Sequence, residues 1–403
     1  MIVRMPLLLA MFLLFSACGT GQDPKSNIVD TARMPVSVTL NKDKYGAQIK
    51  ERYEKLLNKN FSGEILVAKN GEIVFEDYQG FVDLVNKTPI DKQTSLHLAS
   101  ISKTFTAMAT LKLWEEQKID LKATVTKYLP KFPYTQVTVE QLLCHRSGLP
   151  DYAYFLETVK YVDVKTKNKK GKIEHKLQVV SKVAPFKEGN YTNQDVLDFM
   201  VQKRPAPQAQ PNKVFKYCNT NYVLLALIIE QVTGKDFPTY IDETIFKPLK
   251  MEHSFIFSNK LKDRYVPSYN EKNQPFKLDK FDCIYGDKNV YSTVQDMLLW
   301  DKALRSASYV KQSTMDLAYA PKSPLTKDFR NYGFGWRMVL KPNEEKLIFH
   351  NGWWHGNNAV FARLLKDSVT IIILGNKYNK KIYNGKQLVA VFTGKEDSTL
   401  LEQ

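Results

Sequence analysis

Ser100-Ile101-Ser102-Lys103 opens what the sequence marks as a helix running through Phe105, Met108, Leu111 and Trp114. A residue and the one three places on share a helix face, so the Lys103 amine falls within reach of Ser100 Oγ. An unassisted serine hydroxyl is too weak an acid to attack an acyl carbon at neutral pH, whereas a desolvated lysine with a lowered pKa can take its proton. The first helical turn adds unpaired N–H groups and the positive end of the macrodipole, both of which favour developing negative charge. The spacing therefore points to a nucleophile and its base. Ser308-Tyr309-Val310-Lys311 carries the same pattern, yet it trails a helix ending near Leu304 and no chemical partners surround it. Two later segments set Ser100 apart, Tyr217-Cys218-Asn219 and then His350-Asn351-Gly352.

With those partners the chain resembles the serine β-lactamase and penicillin-binding protein family, in its class C-like, β-lactamase-related serine hydrolase branch. The resemblance runs from about Phe61 to about Asn376. Leu98 to Lys103 is similar to the family's nucleophile segment, and Gln141 to Pro150 to its loop after the first helical hairpin. Val214 to Tyr222 is similar to the tyrosine motif and the start of its helix, while Tyr291 to Met297 and Tyr332-Gly333-Phe334-Gly335-Trp336 match further landmarks. The resemblance implies an acyl-enzyme on Ser100, with the proton work shared by Lys103 and Tyr217 and the formal base left open between them. It implies an oxyanion hole from the backbone N–H groups of Ser100 and Trp353. Gly352 would let substrate lie close against its strand, Asn219 would hold a substrate amide and His350 would complete the wall. No metal and no organic cofactor is implied.

Three positions depart from the pattern. Cys218 stands where serine is usual, Asn212 where a turn glycine is common, and His350 where true β-lactamases have lysine. A lysine there is always charged and grips a carboxylate, whereas a histidine of ordinary pKa, about 6.5, is charged only part of the time near pH 7. This turns the expected substrate from β-lactams towards D-amino-acid-containing peptides of cell-wall type, amides and small esters. A receptor on the same scaffold, acylated without turnover, is the competing reading. A basic surface-adhesion protein is a third.

Arg4, an apolar run from Leu7 to Phe15 and small residues Ser16-Ala17 precede Cys18. Such a segment is a secretory leader whose apolar core is too short to span a bilayer. Small residues before a cysteine look like a bacterial lipoprotein site, so Cys18 is expected to carry the lipid that holds the protein at the cell envelope. Ordinary cleavage after Ala17, with an inert Cys18, is the alternative. The net charge of +16 suits an anionic surface, yet the lysines are spread along the chain. Their densest run, Lys165 to Lys172, has no aromatic platform or nucleic-acid motif beside it, which argues against nucleic-acid binding. The remaining cysteines, Cys144, Cys218 and Cys283, are odd in number and lack metal-ligand spacing. Cys218 is expected to point away from a cleft that Tyr217 and Asn219 face. Nothing in the sequence sets the oligomeric state.

The expected fold class is α+β. Asn70-Gly71, between Ile65-Leu66-Val67-Ala68 and Ile73-Val74-Phe75, is a strong hairpin signal, and Lys366-Asp367 lies between two further apolar runs. Strands at both ends with helices between them imply an antiparallel sheet built from the N- and C-terminal strands, with packed helices and an inserted, mainly helical lobe. The expected boundaries are a leader at 1–17, a tether at 18–45, the hydrolase domain at 46–395 and a tail at 396–403. Within the domain, the sheet lobe takes 46–98 and 285–395 and the helical lobe 99–284. Tyr222 to Thr233, apolar on nearly every side, is expected to be a buried helix closed by Gly234. The segment from about Lys160 to Asn190 is expected to be an insertion near the cleft mouth.

Four further groups have structural readings. Asn193, in Tyr191-Thr192-Asn193, is expected to help cap a helix. His97, His145 and His253 are expected to be satisfied histidines. A metal at His350 and His355 is not expected, because no acidic ligand lies nearby in sequence. Trp354 and His355 are instead expected to line a pocket for the acyl or leaving group.

Overall fold

The computed structural model describes residues 41–57, 61–156, 159–167, 173–182 and 186–400. The leader, Cys18 and most of the tether lie outside them. Asn70 and Gly71 both take positive φ, 54° and 74°. That is the backbone a two-residue hairpin needs to match strand twist, and it joins β1 (Gly63–Lys69) to β2 (Glu72–Gln79). The C-terminal part supplies β3 (Arg330–Tyr332), β4 (Arg337–Val339), β5 (Leu347–Trp354), β6 (Asn357–Leu364) and β7 (Val369–Gly375). Among the described residues these form one seven-stranded sheet in the order β3-β4-β5-β6-β7-β1-β2. Every neighbouring pair is antiparallel, and Leu66 opposite Ile372 lies on the seam where the two ends of the chain meet.

β6 and β7 are buried along their whole length. Both faces of the sheet are therefore covered at these strands, and β7 reads as a near-continuous apolar run instead of alternating. α1 (Lys42–Leu57) and the 3₁₀ segment Lys380–Val389 pack on one side. Five further segments matter to the site: α2 (Ser102–Glu115), α3 (Asn193–Lys203), α4 (Thr220–Thr233), α5 (Val294–Arg305) and a small sheet of Leu96–His97, Val290–Ser292 and Phe255–Ile256. α5 lies on the β1/β7 seam, where Arg305 donates to Val369 O at 2.9 Å and Asp301 accepts from Thr370 Oγ1 at 2.6 Å. α2 is buried on all sides from Ser102 to Leu111, with Phe105 stacked on Trp300 at 4.8 Å. α4 is buried from Thr220 to Ile229 and ends, as expected, at Gly234 in the left-handed conformation (φ 68°).

One expectation is revised, and one segment gains a feature. α3 is capped by Thr192, which exchanges hydrogen bonds with Asp195, while Asn193 is buried and ties α3 to its neighbours through Tyr285 O and Val223 O. The insertion contains a feature not foreseen: the backbones of Val159–Lys167 and Ile173–Lys182 pair as an antiparallel hairpin.

Candidate active site

The nucleophile segment leaves the small sheet at Leu98, whose N–H donates to Val290 O at 2.9 Å. Ala99 then turns at φ 48°, a conformation a residue with a Cβ holds only when its surroundings fix it. The surroundings here are His97 and Gly352. His97 Nδ1 accepts from Ala99 N at 2.9 Å, so its proton sits on Nε2, which faces Asn289 Oδ1 at 3.1 Å. Burial lowers the His97 pKa to about 4, which keeps that acceptor free. Ser100 therefore lies in a 3₁₀ turn, Ala99–Ile101, and α2 starts two residues later than the sequence suggests.

Lys103 is fully buried, and its amine has three acceptors: Ser100 Oγ at 3.0 Å, Asn219 Oδ1 at 2.9 Å and Asp287 O at 2.8 Å. Asn219 sits at the start of α4 without capping it. Its N–H donates to Asp151 Oδ2 at 2.6 Å, which leaves its side chain for Lys103. Tyr217 lies just before it, with the Lys103 amine 5.0 Å and the Arg337 guanidinium 5.0 Å from its ring centre. The Tyr217 hydroxyl is sealed from solvent without a hydrogen-bond partner. His145 supports this loop, its Nδ1 accepting from Cys218 N at 3.2 Å. Cys218 points away from the cleft towards Pro150 O, and burial pushes its thiol up to about 12.

β5 forms the opposite wall. A cleft of about 470 Å³ is lined by Ser100, Tyr217 and Asn219 on one side and by Asn351, Gly352, Trp353 and Trp354 on the other. His350 is not part of that wall, contrary to expectation. It is buried behind it, with Nδ1 2.7 Å from Asn351 O and Nε2 3.2 Å from the Tyr332 hydroxyl. A carbonyl only accepts, so Nδ1 carries the proton and Nε2 accepts from Tyr332. Burial, then the charges of Arg337 and Lys103, hold the His350 pKa well below its ordinary value. The ring is neutral near pH 7 and supplies no grip on an anion.

The reading of Gly352 also changes. A Cβ there would lie 2.2 Å from Leu98 O and 3.1 Å from the Ala99 Cβ. The missing side chain makes room for the nucleophile turn, not for substrate.

Besides Lys103 and a partly charged His350 the sequence pointed to no cation in the cleft, yet Arg330, Arg337 and Lys288 line it. Arg337 comes from β4, opposite Phe349 of β5, and its Nε is buried without a partner. Lys288 donates to the Tyr152 hydroxyl at 2.5 Å and lies 3.6 Å from Asp287 Oδ2. Burial lowers its pKa. Asp287 Oδ1 is buried and unpaired. Tyr217 Oη, Arg337 Nε and Asp287 Oδ1 are thus atoms without a hydrogen-bond partner among the described residues, on three residues that line one cleft. Buried polar atoms without partners are costly, and three of them on residues around one hydroxyl set this cleft apart.

Beside the cleft, the assumption that no acid lies near His355 fails. A remote loop brings Asp282 to 3.2 Å and Asp279 to 3.9 Å from His355 Nε2. These three residues could offer a metal ligand atoms within 4.8 Å of one another. Asp282 is already engaged, accepting from Trp354 Nε1 at 2.6 Å as well as facing His355. Trp354, His355 and Asp282 are joined by hydrogen bonds, with Asp279 beside them.

The family model described as Beta-lactamase matches residues 52–388. The chain is similar to penicillin-binding protein 4* of Bacillus subtilis (strain 168), with 29% identity over 334 residues, 79% of this chain and 68% of that protein. Its fold is similar to that of the octameric penicillin-binding protein homologue from Pyrococcus abyssi, with a TM-score of 0.70 and 23% identity over 87% of this chain and 78% of that one. It is also similar in fold to D-amino acid amidase from Ochrobactrum anthropi SV3 complexed with L-phenylalanine amide, with a TM-score of 0.67 and 18% identity over 87% of this chain and 98% of that one.

Proposed function

The chain belongs to the beta-lactamase family and is a serine hydrolase, and from that premise we propose that Ser100 is its nucleophile and that it cleaves amide bonds in short peptides of the D-amino-acid type. The observation that carries this reading is the Lys103 amine 3.0 Å from Ser100 Oγ, at a cleft whose Arg337 has no anionic partner among the described residues. Lys103, having first given up one of its three protons, takes the Ser100 proton as Oγ attacks the acyl carbon. The oxyanion is received by the backbone N–H groups of Ser100 and Trp353, each such donor being worth about 3 kcal/mol in the transition state. Collapse breaks the amide bond, and the leaving nitrogen takes, through the Tyr217 phenol, the proton that Lys103 received from Ser100. Water then attacks the ester on Ser100 with the same groups acting in reverse. Asn219 fixes the Lys103 amine. Arg337, with Arg330 beside it, receives a substrate carboxylate, the role that neutral His350 does not fill.

A panel of one D-alanyl-D-alanine peptide, the same peptide amidated at its C-terminus, a short acyl ester and nitrocefin tests the reading. The free-carboxylate peptide is expected to be turned over best. In Arg337→Ala its KM should rise about tenfold or more while the ester is unaffected. Equal rates for the free and amidated peptides in the wild type would overturn the assignment. The lipid anchor at Cys18 belongs to the same proposal, and its support is the leader composition alone. Incorporation of a clickable fatty acid that disappears in Cys18→Ala is the expected result; incorporation that survives the change refutes it.

A further inference from the structure

Two lysines meet on one residue beside the nucleophile. Asp287 gives its carbonyl to the Lys103 amine at 2.8 Å, and its Oδ2 lies 3.6 Å from the Lys288 amine. The loop that carries them, Gly286-Asp287-Lys288-Asn289, is tied to α2 on both sides of that contact. Thr106 Oγ1 donates to Gly286 O at 2.7 Å, and Val290 N donates to Ser102 Oγ at 3.0 Å. Asn289 holds φ 79°, and its side-chain amide donates to Asp282 O at 2.6 Å and to Ile284 O at 2.8 Å. Both charges of the loop are therefore fixed relative to the helix that carries Lys103.

The Lys288 ammonium is committed within the protein. It donates to Tyr152 Oη at 2.5 Å, Tyr152 donates on to Asp287 Oδ2 at 2.8 Å, and the centre of the Trp354 ring lies 4.7 Å away. Arg337, whose Nε has no partner among the described residues, is the cation left for an anionic ligand. As a stabilising ion pair, Asp287 and Lys288 are poorly made: both are buried, they stand 3.6 Å apart, and Asp287 Oδ1 is unpaired. Burying two charges is costly unless their geometry is close. What the pair does is set a second cation next to Lys103, and a like charge disfavours the protonated form of an amine. We propose that Lys288 is a positioning residue for the reaction: its charge opposes the third proton on Lys103 and so leaves that amine able to take the proton of Ser100, while Asp287 is the counter-charge that limits the effect. This rests on the hydrolase reading of Ser100.

Other groups also face Lys103. The rings of Tyr217 and Tyr222 lie 5.0 and 5.6 Å from its amine, Arg337 lies over the Tyr217 ring, and Asp151, His145 and His350 act on it through charge. Burial holds both histidines well below their ordinary pKa, so they stay neutral near pH 7. Facing Lys288 are Asp279, Asp282 and His97 besides Asp287 and Tyr152. All these groups are common to the variants below, so a difference between profiles belongs to positions 287 and 288.

The test is the pH dependence, from about pH 5 to 9, of the rate at which a fluorophosphonate labels Ser100, read by intact mass and peptide mapping. The rate should climb with pH as Lys103 gives up its proton. In Lys288→Met, which keeps the length without the charge, the climb should move to higher pH by about one pH unit or more. In Asp287→Asn, which still accepts from Tyr152 but leaves Lys288 without its counter-charge, it should move to lower pH. The double variant should lie between the two. A partial loss of fold lowers the rate at every pH without moving the climb. Should Lys288→Met not fold, the direction of the Asp287→Asn shift decides alone. Profiles that coincide with the wild type, or shifts of the same sign in both single variants, overturn the proposal while Ser100 still labels. A wild type that does not label at Ser100 sinks the hydrolase reading, and this inference with it.

Discussion

Lys103 has an acceptor for each of its three protons, and one of them is the hydroxyl it is to activate. Tyr217 is its opposite, a phenol held between two cations with nothing to bond. If the phenol carries protons to the leaving group, Tyr217→Phe should lower kcat by about 10² to 10⁴ with little change in KM for the peptide. Steady-state kinetics on the D-alanyl substrate check this, and wild-type kcat in the phenylalanine variant would remove Tyr217 from the chemistry. Ser100, Lys103, Tyr217 and Asn219 were legible in the sequence because each belongs to a short motif with fixed spacing. Arg337 was not, because its place in the cleft comes from a register across two strands, opposite Phe349. His350 was legible as a residue but misjudged as a charge: the local spacing says nothing about the burial that keeps it neutral.

Strand β5 and the turn before α2 fit each other closely at Gly352, where a methyl group would meet the Leu98 carbonyl at 2.2 Å. Neither partner is a flexible side-chain end, so Gly352→Ala should cost on the order of 2 to 4 kcal/mol and displace Ser100. A lower melting temperature together with slower fluorophosphonate labelling is the expected outcome. A variant of unchanged stability and reactivity would show that the turn does not depend on this contact. The elements easiest to foresee were those whose ends carry chemical punctuation: Asn70-Gly71 at the first hairpin and Gly234 after α4. The three-residue strands β3 and β4 were not foreseen as strands, and neither was the hairpin of Val159–Lys167 with Ile173–Lys182. β3 and β4 are too short to show a period, and in the hairpin charged residues are mixed among the apolar ones.

At the scale of the whole molecule, three histidines are buried in neutral form around the site. His97 has its pKa lowered to about 4, and His145 and His350 are held well below the ordinary value, burial being the first cause for each. In the unfolded chain all three titrate near 6.5. Below that pH the unfolded state binds more protons than the native state, so these groups make stability fall as pH drops from about 6.5 towards 4. Buried carboxyls such as Glu64, whose pKa burial raises, work in the opposite direction, so the histidine part is best isolated by substitution. His97→Gln keeps an acceptor for Ala99 N and a donor for Asn289. Between pH 7 and 4.5 this variant should lose about 2 to 3 kcal/mol less stability than the wild type, measured by urea denaturation. Parallel pH profiles would show that His97 does not contribute. The joining of β7 to β1, which makes one sheet from both ends of the chain, was legible because both ends carry strand patterns with helices between them. The three cleft residues with buried, unpaired polar atoms were not, since no sequence pattern marks a polar atom that lacks a partner. The central claim is that Ser100 is made reactive by Lys103, and covalent capture tests it most directly. After a brief reaction with a fluorophosphonate, intact mass and peptide mapping should find one adduct, on Ser100, absent from Ser100→Ala and formed at least about a hundredfold more slowly in Lys103→Ala. An adduct on another residue, or wild-type labelling in Lys103→Ala, would contradict the account.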